Sequence, residues 1–257
     1  MILFTPEQLV HVEEAARFLS TKQHPGYEYF TGRAPGARPF PKGKLLTRFM
    51  IEYNLFLAQF ATWAYITAEK TPIQELKQSY FENAEEEAKG TVSNTEGHHL
   101  LYIKEMTQAW GYSPIFFPED ENIQLLPPKS RIYRNALDDV VRNGSWVEAS
   151  AAVFTWVEGS SDDLQTLINH KLLPGEKKRT GSGNWMQRTG YVTEPSKLVL
   201  KAVHAKVEAG HRVEAYAMYQ YIGRQEHEQV MAVLKKLQPL WYDSQTEIYE
   251  LCGIESE

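Results

Sequence analysis

At 257 residues, with 42% hydrophobic and 23% charged side chains, the chain has the make-up of an ordinary globular protein able to bury a large core. A net charge of −6 and a pI near 5.8 argue against a nucleic-acid binder, which would carry a basic face. No apolar run reaches the roughly 18 residues that span a bilayer, and the start MILFTPEQ lacks the basic and long apolar regions of a signal peptide. Cys252 is the single cysteine, so neither an intrachain disulfide nor a thiolate metal cluster is expected. The expected compartment is the cytoplasm, and any metal would rest on histidine and carboxylate ligands.

In chain order, Thr5-Pro6-Glu7-Gln8 predicts a helix start, with threonine as N-cap, proline in the first turn and glutamine at the reciprocal capping position. That helix runs to about Leu19, and the Gly- and Pro-rich stretch from Pro25 to Gly43 ends the pattern. The run KLLTRFMIEYNLFLAQFATWAYITAEK is apolar on most sides and predicts a buried central helix. Further helices are expected from Pro72 through IQELKQSYFENAEEEAKG, from near Thr95 to Gly111, and from about Ser130 to Arg142, where Asn143-Gly144 stops the last. SWVEASAAVFTWVEGSSDDLQTLINH is again helical in period, with small residues that permit close packing. After the irregular region from Pro174 to Pro195, two helices are expected at about Ser196 to Ile222 and Arg224 to Leu251, the latter kinked at Pro239. Few segments alternate with period two, and no internal repeat or linker is evident. The expectation is a single all-α domain, 1–257, of about seven or more helices.

One stretch of the penultimate helix carries chemistry. HAKVEAGH places His204, Glu208 and His211 at steps of four and seven, within an arc of roughly 60° on a helix. Two imidazoles and a carboxylate on one face suit iron, manganese or zinc. A solvated stripe with i,i+4 pairing gives the same pattern without metal. A second half-site would need inward carboxylates and histidines from other helices. Glu158 lies in the apolar run AAVFTWVEGSS, where a glutamate needs a partner, either a metal or a buried cation. Glu85, Glu86 and Glu87 read most simply as a solvated face. His98 and His99 head the next helix and point about 100° apart, so one of them at most faces a given site.

These residues resemble the pattern of the heme-oxygenase-like diiron oxidases and oxygenases. In that family a glutamate follows an asparagine by four, a histidine precedes a helix-ending glycine by about twelve, a later glutamate is often followed by glycine, and His-x3-Asp/Glu-x2-His closes the set. Asn83 then points to Glu87, Gly111 to His99, and Glu158-Gly159 to the middle element, with His204, Glu208 and His211 last. The resemblance implies a heme-oxygenase-like helical bundle in which Glu87, His99, Glu158, His204, Glu208 and His211 hold two Fe(II) ions and O2 is the co-substrate. Glu87, Glu158 and Glu208 would be the carboxylates taking part in catalysis. Glu208 stands where many members have aspartate, the gap from Glu158 to His204 is long, and one inserted residue would exchange His99 for His98. The same ligands also suit a manganese–iron pair.

Three rival readings rest on specific residues. A ferritin-like site would use Glu96-x-x-His99 with Glu208-x-x-His211, making Glu96 a rival of Glu87 but leaving His204 without a role. Glu96 equally reads as a charge at a helix start. A heme-binding relative would use His11 as its proximal ligand. A metal-free binding protein would keep the polar residues as a buried network. His227, in RQEHEQ on the last helix, is expected to be solvated. The loop with Lys177, Lys178, Arg179 and Trp185 reads as exposed connection or as a gate.

The resemblance implies oxidation of a small acid or amino acid. Glu208 and the NTEGHH stretch are most similar to the cyanobacterial nitrile-forming branch, which acts on a halogenated tryptophan, and Tyr80, Tyr102, Phe154 and Trp156 could wall an aromatic substrate. The alternative is fragmentation, decarboxylation or N-oxygenation of another amino or fatty acid. The expected partner is a small amino-acid substrate, with no nucleic acid and no membrane, and a homodimer is a candidate assembly.

Overall fold

A computed structural model of the chain describes residues 4–31, 42–117, 122–178, 195–200 and 215–253. Among them the structure is helical, with no strand. The helices are α1 (Pro6–Leu19), α2 (Gly26–Phe30), α3 (Lys42–Glu52), α4 (Ala58–Lys70), α5 (Gln74–Lys89), α6 (His98–Gln108), α7 (Pro128–Asn143), α8 (Trp146–Ser150), α9 (Asp163–Asn169) and α10 (Arg224–Leu251). Two π-helical segments, Tyr53–Leu57 and Ala151–Val157, continue α3 into α4 and extend α8.

The α1 cap is as expected, and local signals that the expectations did not include set two further ends. Thr5 and Gln8 form the reciprocal cap of α1, Ser145 and Glu148 do the same for α8, and α7 begins with Pro128. α10 runs unbroken through Pro239. The start of α7 has no side-chain cap of its own. Glu247 of α10 supplies one, accepting from the Lys129 and Ser130 amides at 2.9 and 3.1 Å.

Packing follows the buried stripes. On α4, Phe60, Trp63, Ala64, Thr67 and Ala68 recur at helical spacing and meet α5. α10 packs against α7, α8, α1 and α3. Trp63, Trp156, Tyr133, Tyr216 and Leu234 belong to the main core, and Phe49, Tyr53, Tyr102, Trp110 and Phe117 to a second, aromatic one.

Three expectations are corrected. α6 starts at His98 and not near Thr95, because residues 91–96 fold into a turn after Gly90 (φ 65°), with Asn94 also at positive φ. SSDD breaks the helix after the π segment, so α9 is separate. Of the stretch expected as a helix to Ile222, residues 201–214 lie outside the described ones, and Ala217–Gln220 form a 3-10 turn. No helix among the described residues is long and apolar enough to cross a membrane.

Candidate metal centre

The end of α5 and the start of α6 build one half of a site. Glu85 faces outward to Lys89 and the Tyr65 hydroxyl, while Glu86 is wholly buried and Glu87 is 9% exposed. The triple glutamate is therefore not a uniformly solvated face: consecutive residues turn about 100°, and two of the three turn inward. His98, 2% exposed, sits between them. Its Nδ1 lies 2.8 Å from Glu87 Oε1 and its Nε2 3.3 Å from Glu86 Oε1.

The turn that closes this unit is tight. Gly97 caps α6, and a Cβ there would stand 2.1 Å from the Ala88 carbonyl oxygen, so only glycine lets the chain pass. Glu86 Oε2 accepts the Val92 and Ser93 amides at 2.6 and 3.1 Å. Burial alone would raise the Glu86 pKa, but the hydrogen bonds from Ser93 and Val92 and the charge of His98 outweigh it and hold the carboxyl below its ordinary value. Burial would likewise discharge His98, yet Glu87 and Glu86 hold its pKa above the usual imidazole value.

The face of α5 that carries Glu87 also carries Tyr80, Asn83 and Ala84, all buried. Tyr80 stacks on Phe154 of the second π segment, 3.9 Å between centroids and 9° between planes. The Tyr80 hydroxyl is directed at Ser150 and the Tyr219 hydroxyl at Thr155, and burial raises both phenol pKa values. Neither approach reaches hydrogen-bond geometry. Tyr80 Oη, Ser150 Oγ, Thr155 Oγ1, Tyr219 Oη and Asn83 Oδ1 have no hydrogen-bond partner among the described residues. Buried polar atoms are ordinarily paired, so this group of five is a candidate for contact with residues outside the described ones or with a ligand.

Glu158 follows this π segment, half-buried, with its amide donating to the Val153 carbonyl at 3.2 Å. Lys22 fastens the end of the segment: its ammonium donates to the Trp156 carbonyl and, at 3.0 Å, to that of Gly159. Burial lowers the Lys22 pKa to about 8 against the opposing charges of Asp163 and Glu158.

The expected ligands thus divide. Glu87 is buried and in contact with a histidine, which is His98; His99 is half-buried on the neighbouring face. Glu158 is described, while His204, Glu208 and His211 lie outside the described residues. Among the described residues no three histidine, cysteine or acidic side chains converge as a complete metal shell. Most of the gate loop, including Arg179 and Trp185, also lies outside them, and Lys178 is tied by Asn169, whose Nδ2 donates to its carbonyl at 2.7 Å. Of the four aromatics expected at the substrate, Tyr80 and Phe154 stand by the orphaned polar atoms. Tyr102 belongs to the second core, its hydroxyl on the Phe49 carbonyl, and Trp156 donates to the Tyr133 hydroxyl at 2.7 Å. Glu96 is exposed and ion-paired with Lys104.

Two residues of the alternative readings lie elsewhere. His227 is buried, not solvated: α10 packs it on α1, where its Nε2 is 2.9 Å from Glu14 Oε2 and its ring stacks on His11 at 4.2 Å. His11 and His227 line a surface pocket of about 610 Å³ with Glu7, Glu14 and Arg224. Sequence reasoning passed over Lys22, Ser150, Thr155 and Tyr219, and took Glu86 for part of a solvated face. Only Glu86 had a legible signal, an acidic doublet one short turn before a histidine doublet.

No family model matches the chain, and no curated protein matches it. Among solved structures, the chain is similar to a TenA homolog from Pseudomonas syringae pv. tomato str. DC3000, with 11% identity, a TM-score of 0.58 and coverage of 95% of this chain and 90% of that one. At that identity the likeness establishes the fold alone: an all-helical TenA-like architecture.

Proposed function

We propose that the protein is an O2-dependent oxidoreductase that holds two irons and oxidises a small amino acid. The observation that carries this reading is the contact of Glu87 with His98. The pair stands 2.8 Å apart, a hydrogen-bond distance, and the two atoms could pass to one metal on loss of the proton they share. An anionic oxygen and an imidazole nitrogen are also the donor types iron takes. In this reading His98 would be the ligand beside Glu87, in place of the His99 that residue counting chose. Glu158 would contribute from the end of the π segment, and His204, Glu208 and His211, which lie outside the described residues, would complete the set.

When bound, the irons would supply reducing power toward O2 and the oxidation of the substrate. The protein's part is to hold, orient and exclude water. Tyr80 and Phe154 form a flat apolar wall, and the hydroxyls of Ser150, Thr155 and Tyr219 with Asn83 Oδ1 offer hydrogen bonds to an ammonium or carboxylate. The narrower reading, nitrile formation from a tryptophan-like amino acid, is supported by the motif resemblance alone; fragmentation or N-oxygenation would use the same residues.

Anaerobic loading with ferrous iron, with and without tryptophan, tests the proposal. About two irons per chain, and O2 uptake when an amino-acid substrate is added, are expected. No bound iron in either arm would overturn it, leaving the Glu86–His98–Glu87 group as a structural ion cluster.

A further inference from the structure

We infer that the stacked rings of His11 and His227 are an acid-operated latch, which holds the middle of α1 on α10 while one ring at most is charged and opens the groove beside it when both are. The latch stands apart from the proposed metal chemistry and lies in a different part of the molecule. Its rings are 4.2 Å apart with 10° between their planes, and both residues are buried, at 7% and 4% exposure. Nδ1 of each ring is buried without a hydrogen-bond partner among the described residues. One carboxylate touches the pair: Glu14 Oε2 stands 2.9 Å from His227 Nε2.

That environment suits one proton and not two. A cation lies favourably over a neutral aromatic face, and Glu14 accepts the N–H of His227. A second proton sets two like charges face to face inside a buried contact, where water and salt screen them poorly. The other charges facing the pair are Glu7 from α1 and Arg224, Glu228 and Lys235 from α10. Arg224 is itself engaged by Glu228 at 3.3 Å. The 3-10 turn adds the Tyr219 ring, 6.0 Å from His227. Burial, His227 and Arg224 disfavour the His11 cation more than Glu7 and Glu14 favour it.

The seam is built to part locally. Gln8 Nε2 donates to the Gln220 carbonyl at 2.9 Å, and Gln238 Nε2 to the Thr21 hydroxyl at 2.6 Å, so α1 is tied on either side of the rings. Between those ties lies the groove of about 610 Å³, walled by both histidines and Met231. Repulsion between the rings therefore widens the groove while the ends of α1 stay held.

The sign follows from His11. The closed form binds its proton less readily than an open form with an ordinary imidazole, so closure weakens as pH falls below about 6.5. Hydrogen–deuterium exchange of the full chain at pH 7.5 and 5.5, corrected for the intrinsic pH dependence of amide exchange, reads the event by segment. Protection over residues 8–14 and 225–231 should fall by up to about tenfold per pH unit, the limit for one linked proton, while α4 and α5 keep theirs. His11→Phe retains a ring on His227 but takes no second proton, and should stay protected at pH 5.5. His227→Phe carries the same expectation and serves if the first variant does not fold. Equal seam protection of the wild type at both pH values overturns the latch. So does an equal loss in the folded variant, or a loss spread evenly over all helices, which marks global unfolding.

Discussion

The chain buries histidines in two contrasting ways. On α5 and α6, His98 has a carboxylate against each ring nitrogen, and its affinity for a proton rises. On α1 and α10, His11 lies flat on His227, with 10° between the ring planes, and its pKa is lowered by burial and then by His227 and Arg224, against Glu7 and Glu14. The lone pairs of an imidazole lie in its plane. Two nearly parallel rings 4.2 Å apart therefore cannot direct nitrogens at one point between them, whereas His98 and Glu87 can. Similar burial of the same residue type thus gives a carboxylate-flanked ring in one place and a stacked ring in the other.

The largest expected contrast is in metal affinity. His98→Ala should weaken cobalt(II) binding at least about 100-fold, more than loss of an outer carboxylate costs, while His11→Ala leaves it unchanged. Equal losses in the two variants, measured by the same titration, would erase the distinction between the sites.

Next comes the backbone that supports His98. Gly97→Ala drives a methyl to 2.1 Å from the Ala88 carbonyl oxygen, so α5 and α6 must separate. Urea unfolding should show a loss of about 2 kcal/mol or more, in the range of strained and overpacked sites, with metal affinity falling as His98 leaves Glu87.

A smaller effect belongs to the stacked pair and is read against pH. Because the folded protein disfavours His11 as a cation, the unfolded chain binds more protons just below pH 6.5. Stability is therefore highest above that value and falls as pH drops through the folded pKa. The slope from one such group is at most ~1.4 kcal/mol per pH unit. His11→Phe, which keeps a ring but no proton site, should flatten that slope in chemical denaturation between pH 5 and 7.5. An unchanged slope would show that His11 is not its source.

The smallest effect is expected for Glu14→Gln. Its carboxylate touches His227 but is 55% exposed, so the loss should stay within about 0.5 kcal/mol. A loss several times larger would mean that the α1–α10 junction depends on that charge and not on ring packing.

Much of the fold was legible in the sequence. The Thr5–Gln8 cap, the long helix from Arg224 and the absence of period-two alternation all act through neighbours within a few residues. The site was legible in part. Glu87 was named from its spacing to Asn83, and His98 only as the alternative to His99. The turn through Gly90 and Asn94 shortened α6, which a periodicity reading could not foresee.

Helix propensity, capping and periodicity are local properties, so the order of residues alone pointed to helices and to carboxylates and histidines at helical spacing. Packing between helices selected which of Glu85, Glu86 and Glu87 turn inward, set His98 between two of them and buried His227 on His11. Adjacent residues on a helix differ by about 100° and are equivalent until another helix covers one face. The physical reason is that burial is set by that partner surface, whose position no local interaction specifies.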